Sequence, residues 1–342
     1  MLNVVTKESS DRAAIIELVA SEAGLSEAIV EKDLWVCYLL DYLFHRSEFK
    51  DSIIFKGGTS LSKAYGLIER FSEDVDLILD WRLIGYSINE PWEERSNTKQ
   101  DKFKLETIER TDDYLASTFA PSLKAGLSAE LGLEADVRMG DAEETVLFAY
   151  PRLFSSEATL DVVKLEIGPL AAWTPSQLAT ISPYIAELHP QLFASPTTTV
   201  ATAVPERTFW EKATILHQEA NRPEEKAMPK RYARHYYDMY KLGHSDVAER
   251  AIAQPELLAK VVAFKEKFYR TPWSKLPDAK PGTLRLSPQP ERLAELEADY
   301  ESMRPMIFGE VPSFEEIIAF MDELESRINS LWRVARCVNR PT

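Results

Sequence analysis

The amino-acid sequence predicts an α+β protein, in which a mixed β-sheet flanked by helices is followed by a mainly helical domain. Strand and helix patterns alternate through about residue 175, and several long segments with the apolar spacing of helices follow residue 205. The stretch from 174 to 205 is rich in Pro, Ser and Thr. We therefore expect a first domain over residues 1–175, a connecting region over 176–204 and a helical domain over 205–342.

Composition and charge restrict the class of protein. Of the 342 residues, 45% are hydrophobic and 28% are charged, which is typical of a soluble globular protein. The formal net charge of −15 argues against non-specific binding of nucleic acid over the whole surface, so any such contact needs a local basic patch. We expect no signal peptide, and the longest apolar stretch, WVCYLLDYLF, is too short to span a bilayer. These features predict a cytoplasmic protein without a membrane anchor.

The first domain is predicted to begin with two helices, over residues 8–23 and 26–45. SIIFKG then predicts a short buried strand that ends in a glycine turn, and TSLSKAYGLIERF predicts a helix that leads into the strand DVDLILD. A polar helix is expected to extend to about Gly126. Three further segments predict strands: SAELGLEADVRM, TVLFAY and TLDVVKLEIG.

The second domain is predicted to consist of helices joined by a proline-rich loop. The loop TPWSKLPDAKPGTLRLSPQP contains five prolines and therefore cannot form a regular helix. The segments with helical spacing are ERTFWEKATILHQEA, KRYARHYYDMYKLG, PELLAKVVAFKEKFY and PSFEEIIAFMDELESRINSLWRVAR.

The glycine turn of the first domain has the features of an anion site. Gly57, Gly58, Thr59 and Ser60 stand at the start of the predicted helix. Backbone N–H groups at a helix start attract phosphate oxygens, and glycine permits a close approach. A glycine pair before a helix is also a common turn device, so this feature alone does not establish a phosphate site.

The strand DVDLILD places two carboxylates together. Asp74 and Asp76 are two residues apart in a strand and therefore point to the same face. Neighbouring carboxylates repel each other unless a cation lies between them, and hard oxygen ligands suit Mg²⁺ or Mn²⁺. An isolated pair of this kind usually lies on a solvated turn. The order of strand, Gly-Gly-Thr, helix and acidic strand favours a nucleotide site that depends on divalent metal.

A third acidic residue lies in the predicted strand TLDVVKLEIG. Alternation places Lys164 and Glu166 on one face, and a carboxylate in an apolar strand is costly unless it is paired or bound to metal. Glu166 is therefore a candidate to complete a cluster of three carboxylates, and Lys164 is a candidate to contact phosphate. An exposed Lys–Glu face on an edge strand explains the pattern equally well.

Two helices of the second domain carry further candidates. In ERTFWEKATILH, Lys212 lies one step from the core face, and in RYARHYYDMYKL, Arg234 and Asp238 are four residues apart, where they can pair. Basic residues between Lys226 and Arg234 form a local cluster with interleaved tyrosines that could contact nucleic acid. Taken alone, these patterns are better explained by ordinary amphipathic helices with surface salt bridges.

Other phosphate, metal and nucleophile motifs are absent from the sequence. It contains neither G-x-x-x-x-G-K-[ST] nor G-x-G-x-x-G, and no G-x-S-x-G. The five histidines have no tight ligand spacing, and the two cysteines, Cys37 and Cys337, cannot form a disulfide framework.

Beyond these local patterns, the sequence resembles a known family. KGGTSLSKAYGLIERFSEDVDL is similar to the first motif of the AbiEii/AbiGii toxin family of nucleotidyltransferases, a branch of the DNA polymerase β-like superfamily. Further segments in the expected order extend the resemblance over essentially the whole chain: EKDLWVCYLL, LEIG, PERTFWEKATILH, RHYYDMYKL, AKPGTLRL, DYESMRPMIFGEVPSFEEI and LESRIN.

The resemblance implies a nucleotidyltransferase fold followed by a helical domain, and it implies roles for individual residues. The first motif falls on Gly58, Thr59, Asp74 and Asp76, with the aspartates as metal ligands. Thr59 stands where the family usually has Ser, and a threonine hydroxyl can make the same phosphate contact.

The resemblance assigns three further motifs. The K-x-[DE] motif falls on Lys164 and Glu166, and Lys212 is implied to contact the nucleotide triphosphate. Asp238 is implied to hold a neighbouring base or lysine in place. For Lys212 and Asp238, the resemblance therefore reverses the interpretation that the residues alone favour.

By the same resemblance, the protein is expected to be the toxin of a bacterial type IV toxin–antitoxin or abortive phage-infection system. It would transfer NMP from an NTP to an acceptor, for which the 3′ end of tRNA is one candidate, and its partner would be a separately encoded antitoxin with a DNA-binding domain. Two alternatives stay open. The acceptor is a protein or a small molecule, or the protein is a regulatory module that binds nucleotide without turnover.

Overall fold

The computed structural model describes residues 1–156, 160–169 and 175–338, with side chains described as far as residue 330. The chain divides into two compact units. The first unit comprises Met1–Gly66 and Phe71–Ala203, and the second comprises Leu67–Arg70 and the chain from Val204 onwards. The predicted α+β class is confirmed, because a mixed sheet with helices is followed by helices alone. In the described part of the chain, no helix combines the length and the apolar character that a membrane span requires.

The first unit contains seven α-helices and seven strands within the described residues. The helices are α1 (Leu2–Val5), α2 (Ser9–Ala23), α3 (Glu27–His45), α4 (Gly57–Lys63), α5 (Asn97–Tyr114), α6 (Ala120–Leu131) and α7 (Tyr184–Leu188). The strands are β1 (Ile53–Lys56), β2 (Asp74–Leu79), β3 (Asp136–Met139), β4 (Thr145–Ala149), β5 (Val163–Gly168), β6 (Ser176–Ile181) and β7 (Thr198–Ala203).

All seven strands form one mixed sheet in the order β3-β4-β5-β2-β1-β7-β6. β2 pairs with β5 in parallel and with β1 antiparallel, and β1 pairs with β7 in parallel. The remaining neighbours are antiparallel. The two strands that carry the candidate residues, β2 and β5, therefore lie side by side near the middle of the sheet.

Helix α3 supplies the core that supports this sheet. Nearly all of its side chains are buried, and they include three charged residues near its start as well as the apolar residues that follow. Trp35 stacks on Tyr150 with ring centroids 5.7 Å apart and meets Phe148 edge-on at 6.0 Å. These contacts hold the helix against β4 and the residue that follows it.

The expected connecting region differs from the structure. Residues 176–204 were expected to link two domains, but they contain β6, α7 and β7, and the first unit continues to Ala203. The content of Pro, Ser and Thr suggested a loop, whereas the run of threonine, valine and alanine in β7 alternates between buried and exposed positions as a strand does. Residues 170–174, Thr159 and residues 339–342 lie outside the described residues.

Two predicted elements have different limits in the structure. The helix expected over TSLSKAYGLIERF ends at Lys63, because Gly66 adopts φ +60°, a left-handed conformation typical of helix ends. The strand expected over SAELGLEADVRM is instead the end of α6, closed by Gly132 at φ +67°, followed by the short strand β3.

The second unit is helical in its described part. Its α-helices are α8 (Pro205–Glu219), α9 (Ala233–Gly243), α10 (Asp246–Ile252), α11 (Pro255–Phe268), α12 (Leu293–Met303) and α13 (Phe314–Val338). Four of them match predicted segments, whereas α10 and α12 were not predicted. The proline-rich loop contains only short 3₁₀ turns, as expected. Trp210 of α8 donates a hydrogen bond from Nε1 to the Ala251 carbonyl at 3.1 Å and so fixes α10.

Candidate active site

Four charged side chains of the first unit share one face of the sheet. In the parallel pairing of β2 and β5, Asp74 lies opposite Lys164 and Asp76 lies opposite Glu166. Residues paired across strands, and residues two apart in one strand, point to the same face. The intervening residues are buried, whereas these four are only partly covered. We call Asp74, Asp76, Lys164 and Glu166 the β2–β5 polar face.

The glycine turn at the start of α4 lies against this polar face. Gly57 has φ +80°, and a Cβ atom added to it would overlap the Asp76 carboxylate. Only glycine fits this position, because it tolerates the left-handed conformation and leaves room for the carboxylate. The glycine turn and the aspartate pair, which are separate features of the sequence, are therefore in direct contact.

The two hydroxyls of the turn face inward. Thr59 Oγ1 donates to the Ser72 carbonyl at 3.2 Å and to the Asp74 carbonyl, and Ser60 Oγ donates to the Gly57 carbonyl at 2.8 Å. Both residues are buried. The Thr59 hydroxyl joins α4 to the segment that enters β2, whereas the Ser60 hydroxyl closes a bond within α4. The phosphate contact predicted for Thr59 and Ser60 stays a prediction.

Lys164 and Glu166 form an ion pair on the polar face, with 2.5 Å between Nζ and Oε1. Burial alone would lower the pKa of Lys164, but the hydrogen bond to Glu166 and the carboxylates of Asp74 and Asp76 raise it above its ordinary value. The ammonium therefore remains charged in a field of three carboxylates. On the other side of Asp76, Lys56 of β1 occupies the paired position.

The donor set of this face suits a hard divalent cation. Asp74 and Asp76 offer carboxylate oxygens on one face, which is the chemistry that Mg²⁺ and Mn²⁺ require. Among the described residues, no group of three His, Cys, Asp or Glu side chains is arranged to hold a metal ion. Because Glu166 is engaged by Lys164, its role as a third ligand would require that ion pair to open, and the ligand set stays a prediction.

Helix α3 presents three consecutive buried charges beneath this region. Glu31 accepts backbone N–H bonds from Leu153 and Phe154, at distances from 2.9 to 3.0 Å. Lys32 forms a salt bridge with Glu73, and Asp33 forms one with Lys63. We call Glu31, Lys32 and Asp33 the α3 charge cluster.

Each salt bridge of the α3 charge cluster fixes one part of the first motif. Lys32 Nζ lies 2.8 Å from Oε2 of Glu73, the residue that precedes Asp74. Asp33 Oδ1 lies 2.8 Å from Nζ of Lys63, the last residue of α4. Burial alone would lower the pKa of Lys63, but the Asp33 carboxylate raises it above its ordinary value. The cluster therefore anchors both the acidic strand and the helix that follows the glycine turn.

A second cluster of buried charges lies within the second unit. Arg70 donates to Asp238 through Nε to Oδ1 at 2.6 Å and through Nη2 to Oδ2 at 2.8 Å. Lys212 Nζ lies 2.6 Å from the same Oδ2. All three side chains are buried. We call Arg70, Lys212 and Asp238 the Asp238 cluster.

The Asp238 cluster contains more positive than negative charge. Burial alone would raise the pKa of Asp238, but Arg70 and Lys212 outweigh it and hold the pKa below its ordinary value. Burial lowers the pKa of Lys212, and the positive charges of Arg70 and Arg234 add to this effect. The carboxylate is thus firmly ionised, whereas the charged form of Lys212 is incompletely compensated.

The neighbourhood of the cluster differs from the sequence prediction in one respect. Asp238 was expected to pair with Arg234 in the same helix, but it pairs instead with Arg70 and Lys212. Burial and the cations of Lys212 and Arg234 lower the pKa of His235 well below its ordinary value, so this imidazole is neutral. Its Nδ1 atom is buried and has no hydrogen-bond partner among the described residues.

We did not predict from the sequence that Lys56, Arg70 or the α3 charge cluster would lie at the site. Lys56 immediately precedes the glycine pair, so its place beside Asp76 could have been found from the strand pairing. Three adjacent charges inside the otherwise apolar segment EKDLWVCYLL were a usable signal, because such charges are rarely buried without partners. Arg70 gave no local signal, since its partner is 168 residues away.

Comparisons with known proteins identify the family. The model of the family described as the nucleotidyl transferase AbiEii toxin of type IV toxin–antitoxin systems matches residues 39–320. No curated protein matches the chain.

Two solved structures are distantly similar. The nucleotidyltransferase toxin MenT4 from Mycobacterium tuberculosis H37Rv has 19% identity and a TM-score of 0.46, and the comparison covers 92% of this chain and 98% of that protein. JHP933 from Helicobacter pylori has 16% identity and a TM-score of 0.44, with the same coverage of 92% and 98%. These likenesses are too distant to support a conclusion about activity. The family match spans most of the chain, and the protein therefore belongs to the AbiEii family of nucleotidyltransferase toxins of type IV toxin–antitoxin systems.

Proposed function

We propose that this protein transfers a nucleoside monophosphate from an NTP to an acceptor hydroxyl in a reaction that depends on divalent metal. The observation that carries the proposal is the register of β2 and β5, which places Asp74, Asp76, Lys164 and Glu166 on one face. The contact of Gly57 with the Asp76 carboxylate supports it, because the turn that we propose to bind phosphate then adjoins the acidic pair.

In this reaction the acceptor oxygen forms a bond to the α-phosphorus of the NTP. The bond from that phosphorus to the oxygen that bridges to the β-phosphate breaks, pyrophosphate leaves, and the hydroxyl proton passes to solvent. Asp74 and Asp76, with Glu166, would hold Mg²⁺ or Mn²⁺. When bound, the ion supplies charge neutralisation on the phosphates and activation of the acceptor hydroxyl.

The residues of this chain would have three further tasks in the proposed reaction. The backbone of the turn from Gly57 to Ser60 would receive phosphate oxygens, and the ammonium of Lys164 would offset negative charge on the polar face. Lys212 would contribute a second ammonium to the triphosphate, with Asp238 holding it in place. The excess positive charge of the Asp238 cluster favours such an anion.

Two classes of acceptor are distinguished by charge. The 3′-terminal hydroxyl of tRNA is the acceptor that we propose, in the cytoplasm and under control of a separately encoded antitoxin with a DNA-binding domain. The net charge of −15 favours the alternative of a protein or small-molecule acceptor, because a strongly acidic protein repels RNA outside any local basic patch.

The proposal is tested by incubating the purified protein with Mg²⁺, each of the four labelled NTPs in turn, and total bacterial tRNA. We expect Asp76→Asn to reduce label transfer by on the order of 1000-fold in a protein that still shows a folded thermal melt, because it removes a charge that would hold the metal and the nucleotide. Asp136→Ala is the matched control, since Asp136 is an exposed aspartate of the same sheet.

The position of the label identifies the class of acceptor. Label that appears on tRNA and disappears with EDTA supports the metal-dependent transfer to RNA. Label that appears only on protein or small molecules when cell extract is added moves the acceptor to that class. Full transfer by Asp76→Asn, at wild-type rates, would contradict the role of the polar face.

A further inference from the structure

The geometry of the Asp238 cluster gives its two cations unequal shares of the carboxylate. Arg70 covers both oxygens, with Nε on Oδ1 at 2.6 Å and Nη2 on Oδ2 at 2.8 Å. Lys212 contacts only Oδ2, at 2.6 Å. A guanidinium that binds both oxygens of a carboxylate forms the stronger and more directional pair. Arg70 alone therefore satisfies Asp238, and the contact with Lys212 is additional.

This inequality decides what happens when an anion approaches Lys212. If the ammonium turns from Asp238 toward phosphate oxygens, the carboxylate remains bound to Arg70 and does not become an unpaired buried charge. Without Arg70, the same movement would leave the fully buried Asp238 carboxylate without a counter-ion, which is strongly unfavourable. Lys212 would then stay with Asp238.

We infer that Arg70 is a positioning residue that releases Lys212 to bind the triphosphate of the nucleotide. The inference rests on the proposed function, in which Lys212 contacts phosphate. It adds a residue to which no sequence motif had assigned a role: Arg70 acts through Asp238 and need not contact the nucleotide. Its effect is to keep the ammonium available, so that Asp238 orients Lys212 without capturing it.

The short segment that carries Arg70 offers a matched control. Glu69, the preceding residue, forms a salt bridge of 2.7 Å with Lys241, one turn beyond Asp238 in α9. Its carbonyl also accepts the Phe308 N–H at 2.9 Å, and Arg70 forms an isolated bridge with Ile307. Lys241→Met thus loosens the same segment from the same helix and leaves the Asp238 cluster intact.

The test measures the binding of inorganic tripolyphosphate to the full-length protein by calorimetry, without any transfer reaction. We expect Arg70→Met to weaken binding by about tenfold, as much as Lys212→Met does, because either change withholds the ammonium. Arg70→Lys should give an intermediate loss, since a lysine restores the charge but contacts fewer carboxylate oxygens. Lys241→Met should bind as the wild type does. Thermal melts check that each variant is folded. If Arg70→Met does not fold, Arg70→Lys still tests the inference.

In the transfer assay, Arg70→Met and Arg70→Lys should raise KM for the NTP while kcat stays within about twofold, which is the signature of lost uniform binding. Lys241→Met should leave KM unchanged. The inference is overturned if Arg70→Lys and Arg70→Met bind tripolyphosphate like the wild type, if Lys241→Met weakens binding as much as they do, or if the wild type does not bind tripolyphosphate. Wild-type binding with the expected losses, but no transfer to any acceptor, would support the role of Arg70 and refute the proposed activity.

Discussion

The two buried charge clusters of this protein differ in whether each of their lysines has a carboxylate of its own, and we call a cluster balanced where each lysine has one. In the α3 charge cluster, Lys32 faces Glu73, Asp33 faces Lys63, and Glu31 is held by backbone N–H groups. In the Asp238 cluster, one carboxylate faces two cations. A balanced cluster needs no further ligand and is suited to fixing the backbone. A cluster with an excess cation is incomplete, and an anion such as a phosphate completes it.

The largest expected effect on stability comes from breaking the balanced cluster. Lys32→Met leaves the Glu73 carboxylate buried without its cation, and we expect a loss of about 3–5 kcal/mol in the free energy of unfolding, measured with urea. Lys32 Nζ also donates to the Leu160 carbonyl at 2.9 Å, so a backbone contact is lost as well.

A double variant separates the lost charge pair from lost packing. In Lys32→Met with Glu73→Gln, the unpaired charge is gone, and we expect most of the stability to return. If the double variant is as unstable as Lys32→Met alone, the ion pair is not what the α3 charge cluster contributes.

Glu144 is a third case, a partly buried carboxyl for which the nearby cations of Lys56 and Lys104 do not outweigh burial. Burial, together with the nearby Asp112 carboxylate, raises its pKa to about 7 from an ordinary value of 4.5. The unfolded chain releases this proton near pH 4.5, whereas the folded protein retains it until about pH 7. The folded state therefore binds more protons across this interval, and stability falls as the pH rises through it.

We expect Glu144→Gln to remove this loss, because glutamine imitates the neutral carboxyl. The difference in unfolding free energy between the variant and the wild type should grow by about 2 kcal/mol, in favour of the variant, as the pH rises from 5 to 8. Urea unfolding of both proteins at the two pH values measures the gain. Parallel pH profiles for the two proteins would show that Glu144 ionises in the folded state as it does in the unfolded chain.

The first motif could be predicted from the sequence because it depends on local geometry. The alternation of a strand was enough to place Asp74 beside Asp76 and Lys164 beside Glu166. It did not reveal that β2 and β5 are neighbours in register, which brings the two pairs onto the same face. The strand β7 was missed because composition suggested a linker, although its burial follows a strand period.

The Asp238 cluster could not be predicted in full, since it depends on contacts between distant parts of the chain. Arg70 was expected in a helix that in the structure ends at Lys63, seven residues earlier in the sequence. The spacing of α9 suggested Arg234 as the partner of Asp238, but the packing of the second unit brings Arg70 and Lys212 to that carboxylate. Side chains that meet only in the folded state leave no periodic pattern.

The smallest expected change in stability is that of Lys212→Met, and it gives the sharpest test of the difference between the two charge clusters. Lys212→Met removes a buried lysine, as Lys32→Met does, but Arg70 still covers both oxygens of Asp238. Burial and the neighbouring cations lower the pKa of Lys212, so its charge is a burden on the folded state. We therefore expect the free energy of unfolding to change by no more than about 1 kcal/mol, in either direction, while KM for the NTP rises by about tenfold.

Lys32→Met is the control for Lys212→Met, since both variants replace a buried lysine that contacts a buried carboxylate. A loss of stability in Lys212→Met as large as that in Lys32→Met would mean that both lysines are structural counter-ions. Retained stability with weakened nucleotide binding would mean that the Lys212 ammonium of the Asp238 cluster is held for a ligand. On this hypothesis, a cation whose charge is not needed by its buried partner is available for phosphate, and that availability would separate the Asp238 cluster from the α3 charge cluster.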